Sequence, residues 1–121
     1  MADRITIDGK QYELTFEDNF EGDTLDLTKW EYCPEQRRQD VGGYWSNAMT
    51  EVHDGNLWLW AKLREDGTPI SGAIRSMHIF EQAHGYFECR MCFPKTTGFW
   101  GAFWMMCGHV GTVDGSAVSG A

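Results

Sequence analysis

The sequence predicts an all-β fold, and three observations carry that prediction. Fourteen glycines punctuate 121 residues, aromatic side chains make up 14% of the chain with six tryptophans among them, and helix-period patterning is almost absent. Apolar residues recur instead at the two-residue period of strands, between short clusters of turn-forming residues. At this length one domain is the ceiling, with enough chain to bury a core without disulfide or metal staples. The apolar share of 42% excludes a disordered chain. A net charge of −8 counts against nucleic acid as a partner, because phosphate binding needs Lys and Arg that are scarce here. No window approaches the ~18 consecutive apolar residues of a membrane-spanning helix, so no membrane partner is expected.

The elements follow in order. Ile5 to Phe16 reads as a hairpin turning at Asp8-Gly9. Asp18 to Trp30, rich in Asp, Gly and Thr, is a loop, and Cys33 to Asp40 a second, polar one. Asp54-Gly55-Asn56 is a turn leading into Leu57-Trp-Leu-Trp-Ala61, a strand apolar on both sides and expected to be covered on both. Glu65 to Pro69 is another turn. Ile70–Phe80, Gly85–Phe93 and Phe99–Met106 are three further strand candidates, with a weak helical turn possible over Met77–His84. Gly108 to Ala121 carries small and turn-forming residues and reads as a loop interrupted midway, with no strand to close on. No repeat, linker or domain boundary is visible.

Four cysteines, Cys33, Cys89, Cys92 and Cys107, permit two disulfides without requiring them. Within a strand, Cys89 and Cys92 would face opposite sides and share neither a zinc ion nor a bond. Four buried or half-buried thiols are expected. The opening Met1-Ala-Asp-Arg4 is charged and no apolar stretch follows, so these residues contain no signal peptide.

Three motifs could carry chemistry. On a strand over Gly98–Met106, Trp100, Ala102, Trp104 and Met106 share one face, and Phe99, Gly101, Phe103 and Met105 the other, a conventional core face. The tryptophan pair suits stacking on pyranose rings, or equally a second core layer; the residues alone admit both. Arg75 falls in an otherwise apolar strand, where a guanidinium needs a partner or a polar ligand; a solvent-facing side chain is the plainer reading. Tyr44-Trp45-Ser46-Asn47, in a glycine-preceded loop, has the composition of a sugar subsite. Glycosidases use two positioned carboxylates. Glu21, Asp23 and Asp26 are a decoy, since the turn at Gly22 fixes none of them on one face, and Glu88 with Arg90 suits a surface pair. The histidines at 53, 78, 84 and 109 show no ligand spacing, and there is no nucleophile elbow or phosphate loop. No complete catalytic set exists in these residues.

Six pieces, in order, resemble glycoside hydrolase family 16, the laminarinase, lichenase and β-1,3(4)-glucanase family. They are Phe16-Glu-Asp-Asn-Phe20, Leu25-Asp-Leu-Thr-Lys-Trp30, Asp54-Gly-Asn-Leu57, Ser71-Gly-Ala-Ile-Arg-Ser76, Gly85-Tyr-Phe-Glu-Cys-Arg90 and Gly98-Phe-Trp-Gly-Ala-Phe-Trp-Met105. Cys33-Pro-Glu-Gln-Arg-Arg-Gln39 is similar to a bacterial glucanase subgroup. The resemblance implies a jelly-roll β-sandwich of the concanavalin A-like kind, with a cleft across its concave sheet. It implies a retaining mechanism on a strand motif Glu-x-Asp-x-x-Glu: nucleophile first, acid/base last, the Asp tuning the pair. That motif would follow the Trp-rich strand after a variable loop, here Cys107 to Ala121, and is not present in the sequence. Sandwiches can run to about 200–250 residues as one domain. Residues 1–121 are therefore expected to be the N-terminal part of a single hydrolase sandwich domain, supplying about half its strands and ending in the loop before the catalytic strand.

By the same resemblance, Trp100 and Trp104 match the aromatic strand of the cleft, Arg75 a sugar-binding arginine and Asn47 an asparagine of the glycone subsites. Gly101 stands where the family often has Pro, and Ala73 where mixed-linkage lichenases tend to carry Glu, which tilts the expected substrate toward β-1,3 or broad β-1,3(4) glucans. Asn19 and Gly55 match backbone-carbonyl ligands of a structural calcium. No cofactor is expected for catalysis. The expected partners are a β-glucan polysaccharide and a second polypeptide carrying the remaining strands and the catalytic carboxylates, the protein being secreted and extracellular. Two other classes compete: a non-catalytic carbohydrate-binding β-sandwich module, and a structural domain whose tryptophans are core.

Overall fold

The computed structural model describes residues 3–38, 42–106, 111–113 and 116–118. Among these the chain is all-β: eleven short strands in five small sheets, with one single-turn 3-10 helix at Asn47–Met49. The fold class read from glycine punctuation and period-two patterning is thus the one observed. The chain divides into two compact units, Asp18–Phe80, and Met1–Glu17 with Glu81–Ala121.

In the second of these, β1 (Arg4–Ile7) and β2 (Lys10–Glu13) form an antiparallel hairpin whose register runs from Arg4↔Glu13 to Ile7↔Lys10. Its turn is Asp8-Gly9 with φ of 50° and 77°. Two consecutive left-handed residues make the turn whose twist matches that of the strands, and Asp-Gly suits it best. The base of the hairpin is extended by the Leu14 N–H donating to the Asp3 carbonyl. Thr15 Oγ1 donates to Gln82 Oε1 at 2.7 Å, and Tyr12 packs tilted against Tyr86, ring centres 6.1 Å apart.

The unit Asp18–Phe80 holds seven strands: β3 (Glu31–Tyr32), β4 (Tyr44–Trp45), β5 (Thr50–His53), β6 (Asn56–Leu59), β7 (Ala61–Leu63), β8 (Pro69–Ser71) and β9 (Ile74–Arg75). β5 and β6 repeat the hairpin device, turning at Asp54-Gly55 with φ of 52° and 71°. β7 and β8 pair antiparallel across a longer connection in which the Arg64 N–H reaches the Thr68 carbonyl. β4 pairs with β8 in parallel, Tyr44↔Ile70 and Trp45↔Ser71, and β3 pairs with β9 antiparallel. Among the described residues, Leu25, Cys33, Val52 and Ile70 are the buried apolar ones, and all four belong to this unit. Trp60 interrupts the run from β6 to β7: its N–H donates to the Met49 carbonyl, and its own carbonyl accepts from Gly72. A side chain at Gly72 would strike the Met49 carbonyl, so this close approach of backbones needs glycine.

Several sequence expectations need correction. Trp58, Leu59 and Trp60 are each more than a third exposed, so the strand read as covered on both faces is not. Gly85–Phe93 and Phe99–Met106 carry no ladder, and Ile70–Phe80 is strand only over part of β8 and at β9. Alternation records which side chains could share a face; a strand also needs a partner to take its backbone hydrogen bonds. Over Met77–His84 the chain makes a single turn, with Ile79 and Phe80 N–H groups donating to the Ser76 carbonyl. Inside the expected C-terminal loop, β10 (Gly111–Val113) pairs antiparallel with β11 (Ser116–Val118). Cys33 is buried as expected, but Cys89 and Cys92 are exposed, and all three are free thiols. Cys107, His109 and the rest of the Gly108–Ala121 stretch outside those two strands lie outside the described residues.

Candidate functional site

Arg75 has a partner, and the strand pairing supplies it. β3 and β9 put Glu31 directly opposite Arg75, and the Arg75 Nε donates to Glu31 Oε1 at 2.6 Å. Both side chains are about one-third exposed. Opposite charges on directly facing strand positions attract, and a guanidinium that donates to a carboxylate is held in orientation as well as place. His78 Nδ1 approaches the same oxygen at 3.3 Å, from a left-handed backbone conformation with φ of 66°. The hydrogen bond from Arg75 holds the Glu31 carboxyl below the usual glutamate range, with the charges of Arg75 and His78 adding to the effect. Nε is the nitrogen committed to Glu31; the two terminal nitrogens of the fork are those a ligand would meet. Next to this pair in sequence, the Cys33 thiol is pushed up by burial, and its backbone N–H is tied to the Ala73 carbonyl.

Asn47 opens the 3-10 turn and is exposed. Its backbone N–H donates to Glu35 Oε1 at 2.9 Å, which ties the loop after β3 to the segment after β4. The Ser46 N–H donates to the Ser71 carbonyl, fixing the start of that turn against β8. Beside it, the guanidinium of Arg38 sits 4.6 Å from the ring centre of Trp45, and that of Arg64 sits 4.8 Å from the ring of Tyr44. Both aromatics of the Tyr44–Asn47 motif are therefore covered by cations. Among the described residues no hydrogen bond or ion pair joins Asn47 to Arg75.

Trp100 and Trp104 belong to the other unit. They are 78% and 59% exposed, on a segment without a ladder. Phe99 and Phe103, placed by alternation on a core face, are 45% exposed each, so that segment shows no buried face. Asn19 and Gly55 both lie exposed in the unit Asp18–Phe80, Asn19 between Asp18 and a left-handed Phe20 whose N–H is held by Asp18 Oδ1, and Gly55 in the β5–β6 turn. Calcium takes about six to eight oxygens, of which these two carbonyls would be a minor part. Among the described residues no group of three or more His, Cys, Asp and Glu side chains is placed to hold a metal ion.

Glu31, His78 and Glu35 were not singled out by the sequence. Glu31 lies 44 positions from Arg75 and Glu35 lies 12 from Asn47, separations at which no local pattern operates. One signal was available for the first: a strand arginine demands a carboxylate, and a short loop-to-strand segment beginning at Glu31 could have been searched for it.

No family model matches the chain, and no curated protein matches it. Among solved structures it is similar to an endo-β-1,3-glucanase from Pyrococcus furiosus, at 17% identity and a TM-score of 0.49, over 66% of this chain and 36% of that one. The chain thus spans about a third of the length of the structure it matches.

Proposed function

We propose that this chain supplies cleft and substrate-binding residues to an endo-acting β-glucanase that hydrolyses β-1,3 or mixed β-1,3-1,4 glucans with retention of configuration. The observation that supports this reading best is the exposure of Trp100 and Trp104 within the motif Gly98–Met105, the most distinctive of the six resembling pieces. A run of exposed apolar side chains, which here includes Phe99, Trp100, Phe103, Trp104, Met105 and Met106, supports a surface that meets a ligand or partner. A pyranose ring offers a flat patch of C–H groups that an indole covers, and hydroxyls that polar side chains can bond. Arg75, steadied by Glu31, would donate its terminal N–H groups to such hydroxyls, and Asn47 would contribute an amide.

Retention requires two carboxylates about 5–5.5 Å apart, one attacking the anomeric carbon and one protonating the leaving oxygen. The sequence has no Glu-x-Asp-x-x-Glu motif, so in this proposal the reacting pair comes from a polypeptide that carries it, and residues 1–121 bind without cleaving.

Two substitutions test the reading. Trp104→Ala is expected to weaken laminarin binding about ten-fold or more, with thermal stability unchanged, because an exposed ring contributes little to folding. A fall in stability with unaltered laminarin affinity would return the ring to a structural role. Arg75→Lys is expected to weaken oligosaccharide binding, since Lys lacks the planar fork that can serve Glu31 and a sugar together; unchanged binding would leave Arg75 as half of a surface ion pair.

A further inference from the structure

The β5–β6 hairpin carries a second group of exposed aromatic rings that none of the foregoing uses. Its register, Glu51↔Trp58 and His53↔Asn56, places Glu51, His53, Asn56 and Trp58 on one face, with Trp60 continuing that face, while Val52 is buried on the other. The three rings form one stack: His53 lies 4.8 Å from Trp58 at 7°, and Trp58 lies 5.7 Å from Trp60 at 14°. Each indole is pinned by its nitrogen, Trp58 Nε1 donating to the His53 carbonyl at 3.1 Å and Trp60 Nε1 to Glu51 Oε2 at 2.9 Å. His53 stands between two carboxylates, 3.4 Å from Glu51 and 3.0 Å from Asp54. Trp58 and Trp60 nevertheless remain 37% and 47% exposed.

We infer that this stack is a β-glucan-binding surface, with Trp60 as its platform. The indole N–H groups are already spent inside the hairpin, so the rings offer a ligand carbon surface only. The polar groups at their border include the carboxylates of Glu51 and Asp54, which accept hydrogen bonds and cannot donate them, together with the His53 ring between them and the Asn56 amide, whose Nδ2 donates to the Asp54 carbonyl. A pyranose fits such a surface: it presents a flat C–H patch to the rings and hydroxyls at its rim to the polar groups. The rings are also preorganised: hydrogen bonds and mutual stacking have ordered them before any ligand arrives, so binding does not bear the cost of ordering them. The inference takes the glucan from the proposed function, but its residues all lie in the unit Asp18–Phe80, whereas Trp100 and Trp104 belong to the other.

The test is electrophoresis of the protein through gels containing laminarin, comparing wild type with Trp60→Ala, Trp60→Phe and Trp104→Ala. Trp60→Ala is expected to weaken retardation about five-fold or more, and Trp60→Phe to keep most of it. In parallel, 5-fluorotryptophan labelling with Trp58→Phe and Trp60→Phe for assignment reads the wild-type rings by fluorine NMR, even where the alanine variant fails to fold. Laminarihexaose should shift the Trp60 resonance. Retardation unchanged in Trp60→Ala, or an unshifted Trp60 resonance under laminarihexaose, overturns the inference; if Trp104→Ala alone weakens binding, the proposed function survives it. Retardation lost in Trp60→Ala and unaltered in Trp104→Ala does the opposite, and a wild-type protein retarded by no glucan ends both.

Discussion

The chain contains the same turn twice, and the two copies lead to different things. β1–β2 and β5–β6 are both four-pair antiparallel hairpins closed by Asp-Gly with two left-handed residues. Yet β1–β2 has no buried residue, whereas β5–β6 buries Val52 on one side and holds the ring stack on the other. The turn residues set the chain reversal and the register in both cases. What the strands then cover is decided by what packs against them, and only the second hairpin has Met49, Trp60 and Gly72 crowded at its base. A hairpin in isolation is marginal in water, so the first copy owes its place to edge contacts such as Tyr12 on Tyr86.

The difference can be broken most severely at the matched positions Val52 and Thr6, each the third residue of its first strand. Val52→Asn loses apolar burial and leaves an amide without a partner, an expected cost of about 3–5 kcal/mol, whereas Thr6→Asn on the exposed strand should stay within about 0.5 kcal/mol. Urea midpoints measure both, and equal losses would mean that burial does not separate the hairpins. Next in size is Gly72→Ala, where the new methyl group meets the Met49 carbonyl, for about 1–3 kcal/mol. Gly9→Ala and Gly55→Ala sharpen the comparison from the other side. Both sites have open space around them and both need a left-handed residue, so each should cost about 1–2 kcal/mol, and equally. Unequal melting shifts for that pair would show that the turns are not interchangeable.

The smallest effect is one of acidity. Asp26, Glu31 and Asp66 are held below the usual carboxylate range, by hydrogen bonds from Thr28, Arg75 and Thr68 respectively, and all three belong to the unit Asp18–Phe80. A carboxyl that is more acidic folded than unfolded contributes stability above its unfolded value, and that contribution is lost as pH falls through the folded one. That unit should therefore loosen first below about pH 4, seen as smaller amide-exchange protection factors in β3 and β9 than at neutral pH. Glu31→Gln should flatten this acid limb; an unchanged profile would place the loss elsewhere.

How much could be read in advance follows the range of the interaction. Asp8-Gly9, Asp54-Gly55 and the Glu65–Pro69 turn were legible because turn chemistry is local, and so were the Asp- and Gly-rich loop Asp18–Trp30 and the described part of the loop expected over Cys33–Asp40, Cys33 to Arg38. The strand readings of Gly85–Phe93 and Phe99–Met106 failed where alternation was asked to stand in for a pairing partner. The parallel β4–β8 pair was invisible, since neither strand carries a mark of the other. For the candidate site, the sequence nominated Arg75, Asn47, Trp100 and Trp104, and the structure supplied the carboxylates that hold the first two. It did not single out the His53–Trp58–Trp60 stack, although the alternation Trp58-Leu-Trp60 was on view; reading both faces of that strand as covered hid it.

The β3–β9 pairing also has a kinetic meaning. Joining Glu31 to Arg75 closes a loop of 44 residues, against a handful for either Asp-Gly hairpin. By the logarithmic law of loop closure that difference costs about 2 kcal/mol more chain entropy before the contact gives anything back. The ion pair should thus form after the folding barrier has been crossed. Glu31→Gln would then leave the refolding rate nearly unchanged and show its effect as faster unfolding, the two arms of a stopped-flow chevron telling the one from the other. In that case the contact that orients Arg75 sets how long the folded state persists and has little part in how quickly it is reached.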